Sequence, residues 1–510
     1  MVAVAALTVA ACGGGAGNGP TVAGRGEIDP AAVLRVASAG TAKNLDPYLQ
    51  DTIGGWSYLT PLFDRLVMVD EHDKLIPGLA TSWNFAPDGS HLDLTLRDDV
   101  TFNDGTPFTA EAVAANIHRG KTLEGSVAAA PFKSIVDVTS VDEHTARIAL
   151  APGSGVELPG LFSTNVGMMI SPKAIAAGAD IRNDPGLAGS GPYVVTKFVP
   201  SESLTMKRGD RTYWDPEVGR VGGIEIRTIP DASTRLNGMQ TGALDVTWVS
   251  SASEVVQAQT LAQQGSFNID KVPFRSTLGV YLQPQGALAN PELRQAVAHA
   301  VDPESIRALY SGNCTPYRQI FPESSWASDP GYQYPYSFDP EKAKELVQKN
   351  GGARVSLTFG AGSNTEKPSN VIQAALTAAG FDADLNPVPL SQLEPRYIAG
   401  DFGQMVSNAF TPKMDPAETV NNYLLRNYAI AKGDPEVAGL AAKAADPTLS
   451  DDARAALYKE ISARTLSEAT WIPICHQTNA TLYSNRIVNA TSIPWVNTGI
   501  FDLRHVAMTR

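Results

Sequence analysis

The sequence is short of the residues on which most enzymes and metal proteins depend. It holds three cysteines and seven histidines in 510 residues, and no two histidines stand four residues apart. The H-E-x-x-H pattern of zinc hydrolases, the G-x-S-x-G turn of serine hydrolases and the G-x-x-x-x-G-K-[ST] phosphate loop are all missing. These absences predict a chain that is not an enzyme and that carries no cofactor and no metal.

Basic charge and long apolar runs are scarce as well. The chain has 40 Lys and Arg against 53 Asp and Glu, which gives a formal net charge of −13. Nucleic-acid binding needs a basic face that replaces phosphate counterions, so we exclude that class of function. No apolar run reaches the ~20 residues of a membrane-spanning helix. We attribute the acidity to solubility.

The composition is that of a large globular protein. Hydrophobic residues make up 43% of the chain, enough for two or three domains at ~150 residues each. Leu92, Leu94 and Leu96 alternate with polar residues, and this period of two predicts a half-buried strand. Thr109 is expected to cap the helix that follows.

Strands and helices alternate through the rest of the chain. Strands are predicted at 224–229 and 244–249, with a helix capped by Asp231 between them. Such a unit predicts a parallel pair of strands with a crossover helix. Asp302-Pro303 and Asp339-Pro340 are typical helix starts, because proline at the first helical position loses no useful donor.

The N-terminus places its cysteine between an apolar stretch and a glycine-rich tract. Val9-Ala10-Ala11-Cys12 is similar to a bacterial lipobox, in which the cysteine is acylated and becomes the new N-terminus. Acyl chains contribute ~0.8 kcal/mol per buried CH₂, so two or three of them hold a protein on a membrane. No Lys or Arg precedes the apolar stretch. Either the signal begins upstream of Met1 or Cys12 is incidental to a start region.

With Cys12 lipidated, two cysteines remain, Cys314 and Cys475. Outside the cytoplasm a leftover pair is often a disulfide, and the alternative is two separate buried thiols. The sequence alone leaves both open.

One stretch carries a specific family resemblance. It runs from Leu59 to Val113 and reads LTPLFDRLVMVDEHDKLIPGLATSWNFAPDGSHLDLTLRDDVTFNDGTPFTAEAV. The segments GSGPY, RTYWDP, TGALDV, NPELRQAVAHAVDPESI and FDPEKAKELV follow in order. Together they resemble the solute-binding proteins of bacterial ABC importers in the peptide/nickel family, over nearly the whole mature chain.

The resemblance implies an α/β fold of the type II periplasmic-binding-protein kind. Two lobes with mixed sheets are joined by hinge strands at 271–283 and 472–485, and one lobe carries an inserted subdomain. The expected divisions are a signal peptide at 1–11, a lipidated cysteine and flexible tether at 12–27, lobe I at 28–57 with 188–273 and 484–510, the insert at 58–187, and lobe III at 274–483.

The resemblance also implies the function. We expect a monomeric, extracytoplasmic lipoprotein, anchored to the cell membrane, that captures peptides or peptide-like solutes and delivers them to ABC permease subunits. Nickel chelates, opines, sugars and haem are alternative ligands. A ligand sensor without import is an alternative from another class.

Candidate ligand-binding residues are those whose loops face the cleft in relatives. Each of them either contacts the ligand or is an ordinary surface or packing residue, and Trp248 is the strongest candidate because a large aromatic at the end of a strand can stack on a ligand. The candidates are Asn44, Leu45, Trp248, Asn364, Asn408, Phe410, Thr411, Lys413 and Asp415.

One position departs from the family pattern. Peptide-binding relatives carry an Asp that receives the ligand's N-terminal ammonium, four residues before the motif's closing proline. Counting back from Pro416, that place is taken by Pro412, with Lys413 beside it. Either the ligand lacks a free amine, or another acid replaces Pro412, or the motif is offset. Pro412 by itself predicts that N-acetylated ligands bind as well as free amines.

The lipobox makes a first prediction. Cys12→Ser should release the protein from membranes or leave it unprocessed, because the acylated side chain is lost. Detergent phase partitioning measures this, with Cys314→Ser as the matched control, which should stay in the detergent phase. Equal membrane association of the Cys12→Ser variant and the wild type would rule out the anchor.

Overall fold

The computed structural model describes residues 26–50, 53–70, 74–249, 251–426, 428, 430, 433–489, 494–495 and 500–510. Cys12 and the tether lie outside these residues. The described strands are β1 (Val33–Ser38), β2 (Val67–Val69), β3 (Leu75–Pro77), β4 (Ala80–Phe85), β5 (His91–Leu96), β6 (Ile135–Asp142), β7 (Thr145–Leu150), β8 (Tyr193–Val199), β9 (Ser203–Arg208), β10 (Gly223–Thr228), β11 (Val246–Val249), β12 (Phe267–Leu282), β13 (Cys314–Pro316), β14 (Ala353–Ala361), β15 (Phe381–Pro389), β16 (Met405–Phe410), β17 (Trp471–Ser484), β18 (Ile487–Val488), β19 (Pro494–Trp495), β20 (Ile500–Phe501) and β21 (Ala507–Met508).

Helices lie between and beside these strands. A π-helix spans Val420–Leu425, and short 3₁₀ turns span Pro131–Ser134, Asn165–Gly167 and Gly286–Ala289. The α-helices are α1 (Ile53–Leu59), α2 (Ala110–Thr122), α3 (Leu158–Leu161), α4 (Pro172–Ala176), α5 (Ala232–Gln240), α6 (Ala252–Gln263), α7 (Pro291–Ala300), α8 (Pro303–Leu309), α9 (Pro340–Lys349), α10 (Glu366–Ala378), α11 (Leu390–Ile398), α12 (Pro416–Thr419), α13 (Pro435–Ala444) and α14 (Asp451–Ser467).

One mixed sheet runs through both lobes. Within the described ranges it has eleven strands in the order β15-β14-β16-β12-β17-β11-β1-β10-β9-β8, with β13 attached to β17. A separate antiparallel sheet, β4-β5-β7-β6, belongs to the first half of the chain and packs against α2. Strand β5 buries Leu92, Leu94 and Leu96, as their alternation predicts. The predicted domain boundaries stay a prediction.

Two details of the expected local structure are wrong. Helix α2 begins just after Thr109, but the Thr109 side chain makes no capping hydrogen bond. Strands β10 and β11 are parallel to one another but are not neighbours, because β1 lies between them and pairs with both. The crossover helix α5 is capped as expected, since the Asp231 carboxylate accepts a hydrogen bond from the Thr234 backbone N–H at 2.7 Å.

Helix starts in the second half follow one local rule. Asp302 precedes Pro303 at the head of α8, and Asp339 precedes Pro340 at the head of α9. In each case the carboxylate accepts a hydrogen bond from a backbone N–H that the first turn leaves unpaired. The proline has no backbone N–H, so no donor is left unpaired at its position. The same rule places Asp415 at the head of α12.

The lobes meet along β12 and β17. The first part of β12, from Phe267 to Pro273, pairs with the last part of β17, which also pairs with β11. The second part of β12, from Thr277 to Leu282, pairs with β16 and with the first part of β17. The register shifts between Pro273 and Thr277. A second shift lies between Leu278 and Gly279, and both interruptions fall within the predicted hinge strand at 271–283.

Buried charges hold the C-terminal segment to Asp64 and Arg65, which lie just after α1. Arg504 donates to Asp502 at 2.8 Å and lies 3.4 Å from Asp64, while Arg65 lies 3.6 Å from Asp502. Although burial opposes ionisation, Arg504 and Arg65 hold the pKa of the Asp502 carboxyl down to about 2. The pairing is therefore ionised at neutral pH and joins residues more than 400 positions apart in sequence.

Cys314 and Cys475 are joined by a disulfide, with their Cα atoms 5.5 Å apart. They sit on paired strands, since Pro316 of β13 lies opposite Cys475 of β17. Strand β13 pairs with β17 only at Cys475, His476 and Gln477, so the bridge joins β13 to the strand that it already pairs with.

We therefore predict that removing the bridge costs stability and leaves ligand binding in place. The double variant Cys314→Ser, Cys475→Ser should lose ~2–5 kcal/mol of unfolding free energy, because the bridge constrains an unfolded loop that is long. Denaturant titration and non-reducing peptide mapping measure this. Two alkylatable thiols in wild-type protein exported under oxidising conditions would contradict the prediction.

Candidate functional site

A cavity of about 480 Å³ lies between the first half of the chain and the segment that follows β16. Gln50, Trp56 and the turn 161–166 form one wall. The opposite wall is the stretch from Asn408 to Met414, continued by side chains of α12 and the π-helix. The walls of this cavity therefore come from two stretches of the chain that are far apart in sequence.

The loop after β16 is fixed by a buried ion pair. Asp415 caps α12 by accepting the Ala417 backbone N–H at 2.7 Å, and Arg454 of α14 donates to the same carboxylate at 3.1 Å. Both side chains are only 8% exposed. Breaking such a pair leaves an uncompensated buried charge. The pair therefore sets where the loop crosses the cavity and where α12 begins.

The floor of the cavity is aromatic. Phe410 stacks on Tyr281 with ring centroids 3.9 Å apart, and Tyr423 stacks on Phe410 at 4.6 Å. Tyr428 packs against Phe410 at 4.4 Å. The Tyr423 hydroxyl donates to the Thr411 carbonyl at 2.7 Å, which joins the floor to the loop. The result is a rigid apolar surface with polar edges.

Three charged groups face this cavity: Glu394, Lys413 and Glu418. Glu394 accepts a hydrogen bond from the Tyr428 hydroxyl. The Glu418 carboxylate has no hydrogen-bond donor in the described part of the chain, and burial raises its pKa to about 7, with Asp415 and Glu157 adding to the shift and Lys413 opposing it. A carboxylate held at a cavity wall without a partner is typical of a ligand-binding site.

Trp56, on the opposite wall of the same cavity, is a second group without a partner in the described part of the chain. Its Nε1 is buried and has no acceptor among the residues described. A buried donor without an acceptor is costly, so an acceptor supplied by a ligand stabilises the bound state. The cavity thus has one carboxylate and one indole N–H that no described residue pairs with.

The structure brings four of the predicted residues to the cavity, namely Asn408, Phe410, Thr411 and Lys413. Asp415 points instead to Arg454. Asn364 donates to Gln477 at 2.9 Å. These two do not line the cavity.

Three more predicted residues also lie away from its described walls. Leu45 is fully buried in the core of the first half, and the Asn44 side-chain oxygen accepts the Asp46 backbone N–H. Trp248, the strongest candidate from sequence, lies on β11 and packs against that same core.

Several cavity residues escaped the sequence analysis. Glu418 and Asn422 had a usable signal, because they stand four residues apart just after the Asp415-Pro416 helix start and so share a face. Trp56 and Glu394 had no such signal in the sequence, because they lie far along the chain from the loop that follows β16. The cavity residues that the sequence analysis did not name are Gln50, Trp56, Asn165, Glu394, Glu418, Asn422, Tyr423 and Tyr428.

No group of three or more His, Cys, Asp or Glu side chains in the described ranges is arranged to hold a metal ion. A search of the same ranges found no helix with the length and apolarity needed to span a bilayer.

Comparison with known proteins gives one family. The family model "Bacterial extracellular solute-binding proteins, family 5 Middle" matches residues 74–429. The "Probable D,D-dipeptide-binding periplasmic protein DdpA" of Escherichia coli K12 is 25% identical over 413 residues, covering 78% of this chain and 77% of that protein. The glutathione-binding protein GsiB of the same strain is 26% identical over 367 residues, or 70% of each chain.

Solved structures share the fold. The ABC transporter substrate-binding protein CtaP of Listeria monocytogenes superposes with a TM-score of 0.83 at 21% identity, covering 94% of this chain and 100% of that one. DppA from Helicobacter pylori in complex with the peptide STSA gives 0.75 at 20% identity, over 94% and 98%. The predicted two-lobed α/β fold of the type II periplasmic binding proteins is confirmed.

The raised pKa of Glu418 makes a prediction about stability. In the folded state this carboxyl holds its proton up to about pH 7, whereas its ordinary pKa is 4.5. The folded state is therefore favoured at low pH, and stability is lost as pH rises from about 4.5 to about 7. Glu418→Gln should unfold at higher denaturant than wild type at pH 8, by about 1–3 kcal/mol, and the difference should vanish near pH 4.

Glu341→Gln on the exposed face of α9 is the matched control, and it should show no such dependence. A loss of stability in Glu418→Gln at pH 8 would mean that the carboxylate has a structural partner.

Proposed function

The chain belongs to the bacterial extracellular solute-binding proteins, family 5, and on that premise we propose that it is a lipid-anchored, monomeric receptor that delivers peptides or peptide-like solutes to an ABC importer. The family is one of substrate-binding proteins of ABC importers and not of enzymes. The anchor is Cys12, whose test is given above. The observation that carries the ligand class is the unpartnered Glu418 carboxylate beside an aromatic floor.

Free amines are the ligand group that this arrangement suits. An ammonium makes charge-assisted hydrogen bonds to carboxylates, and these are roughly twice as strong as neutral ones. Glu418 and Glu394 face one cavity from two different elements, α12 and α11. Of the alternatives that Pro412 leaves open, they support the one in which another acid takes the place of the missing Asp.

The loop after β16 lies beside the space that a peptide would fill. The stretch from Thr411 to Met414 continues β16 beyond its last paired residue, Phe410. Pro412 has no N–H and the Lys413 N–H donates to the Thr419 hydroxyl at 2.8 Å, so side chains of the cavity, more than this backbone, would hold the peptide. Trp56 Nε1, across the cavity, supplies a donor for a ligand carbonyl.

Capture follows from contacts on both sides of the hinge. A ligand shifts the open and closed populations only by its differential affinity for the two. Glu418 and the aromatic floor move with lobe III, whereas Trp56 and Gln50 move with the other side. A peptide held by both therefore favours the closed form, in which permease subunits meet a loaded receptor.

The proposal is tested with a matched pair of peptides at pH 8, where Glu418 is ionised. Tri-alanine with a free amine should bind wild type about 10- to 100-fold more tightly than its N-acetylated form, since a charge-assisted bond contributes ~1.5–3 kcal/mol. Glu418→Gln should lose this preference and Glu341→Gln should keep it. Isothermal calorimetry measures all three proteins.

Equal binding of the two peptides by wild type would overturn the amine site and support a ligand without a free amine. Absence of binding by either would overturn the peptide class, and native mass spectrometry of the co-purified ligand would then identify the solute.

A further inference from the structure

One end of the four-stranded sheet β4-β5-β7-β6 touches the second half of the chain outside the candidate site. The turn between β4 and β5 and the turn that follows β7 lie together at this end, since the Leu150 N–H donates to the Ser90 carbonyl at 2.9 Å. The turn that follows β7 spans residues 151–157. These two turns, with α3 just beyond them, form the contacts described next.

The 151–157 turn places one apolar side chain in the core of the second half. Val156 is only 3% exposed and belongs to an apolar cluster whose other members, within the described ranges, all lie between positions 281 and 471. Phe410 and Tyr423 of the cavity floor belong to the same cluster. Val156 itself does not line the cavity. It therefore joins the two halves of the chain without being placed to touch a ligand.

The turn that carries Val156 is held in shape by its own bonds. The Ser154 hydroxyl donates to the Ala151 carbonyl at 2.6 Å. Gly155 has a φ of +91°, and a β-carbon at this position would lie 2.8 Å from the side chain of the buried Leu150. Only glycine suits such a position. The turn thus presents Val156 from a fixed place at the end of β7.

Two glycines mark further close approaches between the same two parts of the chain. A β-carbon at Gly160, in α3, would lie 3.1 Å from the Asp415 Cβ at the start of α12. A β-carbon at Gly89, between β4 and β5, would lie 3.1 Å from the Pro447 Cγ, between α13 and α14. With Val156 these make three contacts on separate elements. Contacts that are spread out in this way resist a rotation of one half against the other.

The contact is nevertheless not packed as one continuous core. A cavity of about 720 Å³ lies beside it, with Ser154 and Glu157 on one wall and α13 and the π-helix on the other. Protein interiors leave few voids larger than a water molecule. A partly filled interface between two parts of a chain is typical of surfaces that separate and meet again.

We propose that the 151–157 turn is a latch, in which Val156 holds the first half of the chain against the second and so sets how long a captured solute is retained. The inference goes beyond the proposed function and uses the hinge predicted at 271–283 and 472–485. A solute between the two cavity walls leaves when they separate, and separation also withdraws Val156 from its cluster. The latch slows release without touching the solute, and apparent affinity falls by the factor by which the closed population falls.

Two variants weaken the latch by opposite means. Val156→Ala removes two methyl groups from the contact, and Gly160→Val adds bulk where Asp415 leaves no room. Val136→Ala on β6 is the control for the first, because Val136 is 64% exposed. Gly439→Val on α13 is the control for the second, because a β-carbon there would meet no atom within 4 Å outside its own helix turn.

Each protein is measured first without solute. Amide hydrogen exchange should rise about 5-fold at 151–157 and at 446–449 in both latch variants, and it should stay as in wild type in β5 and β17. Small-angle scattering should give both variants a larger radius of gyration than wild type and the controls. With tri-alanine, stopped-flow fluorescence should show dissociation about 5- to 10-fold faster in both variants, at an unchanged association rate.

Three results would overturn the latch. The first is a radius of gyration and a dissociation rate that stay as in wild type. The second is a rise in exchange that extends through β5 and β17, which would mean that the variants weaken the fold as a whole. The third is an effect in only one of the two variants. If tri-alanine does not bind wild type, the proposed function fails, whereas exchange and scattering still decide whether the latch exists.

Discussion

The pairing of β12 with β17 is the constraint on which the rest of the molecule depends. These two strands are the centre of the main sheet and belong to both lobes, with β16 on one side and β11 on the other. Two register shifts interrupt their pairing, one between Pro273 and Thr277 and one between Leu278 and Gly279. Next to the first shift the His476 ring accepts or donates at 3.0 Å to Thr277 and stacks on Tyr317 at 4.1 Å. The pairing of β12 with β17 is thus continuous except between Pro273 and Gly279, within the predicted hinge.

The pairing of β12 with its neighbours also sets the position of one cavity wall. Strand β16 pairs with β12 up to Phe410, so the loop that follows leaves the sheet beside the first register shift. The ion pair between Asp415 and Arg454 then holds its far end. The loop is therefore held at both ends, at Phe410 by the sheet and at Asp415 by the ion pair. A loop that is already ordered costs less conformational entropy when a ligand binds.

The sequence predicts the fold and draws attention to the loop after β16, but it does not predict all the residues that line the cavity. Local patterns such as Asp-Pro helix starts and alternating leucines depend on neighbours in the chain, and most of them hold. Asn408, Phe410, Thr411 and Lys413 line one cavity because they belong to one contiguous motif, and their role in ligand binding stays a prediction. Trp248 and Leu45 lie away from this cavity, because whether a residue near a strand end faces a cavity or a core depends on packing by distant elements. Trp56 and Glu394 reach the cavity only through the tertiary fold, so no local signal marks them.

Under the proposed function, the polar groups of the cavity oppose closure without a ligand. In the described part of the chain the Glu418 carboxylate has no donor and the Trp56 indole N–H has no acceptor, so each raises the free energy of a water-excluding state. A ligand that supplies an ammonium and a carbonyl would remove both penalties. Closure is then favoured by the ligand's own polar groups, while the aromatic floor adds affinity that depends little on side-chain identity. Specificity for a class of ligand, rather than for one member, follows from that division of roles.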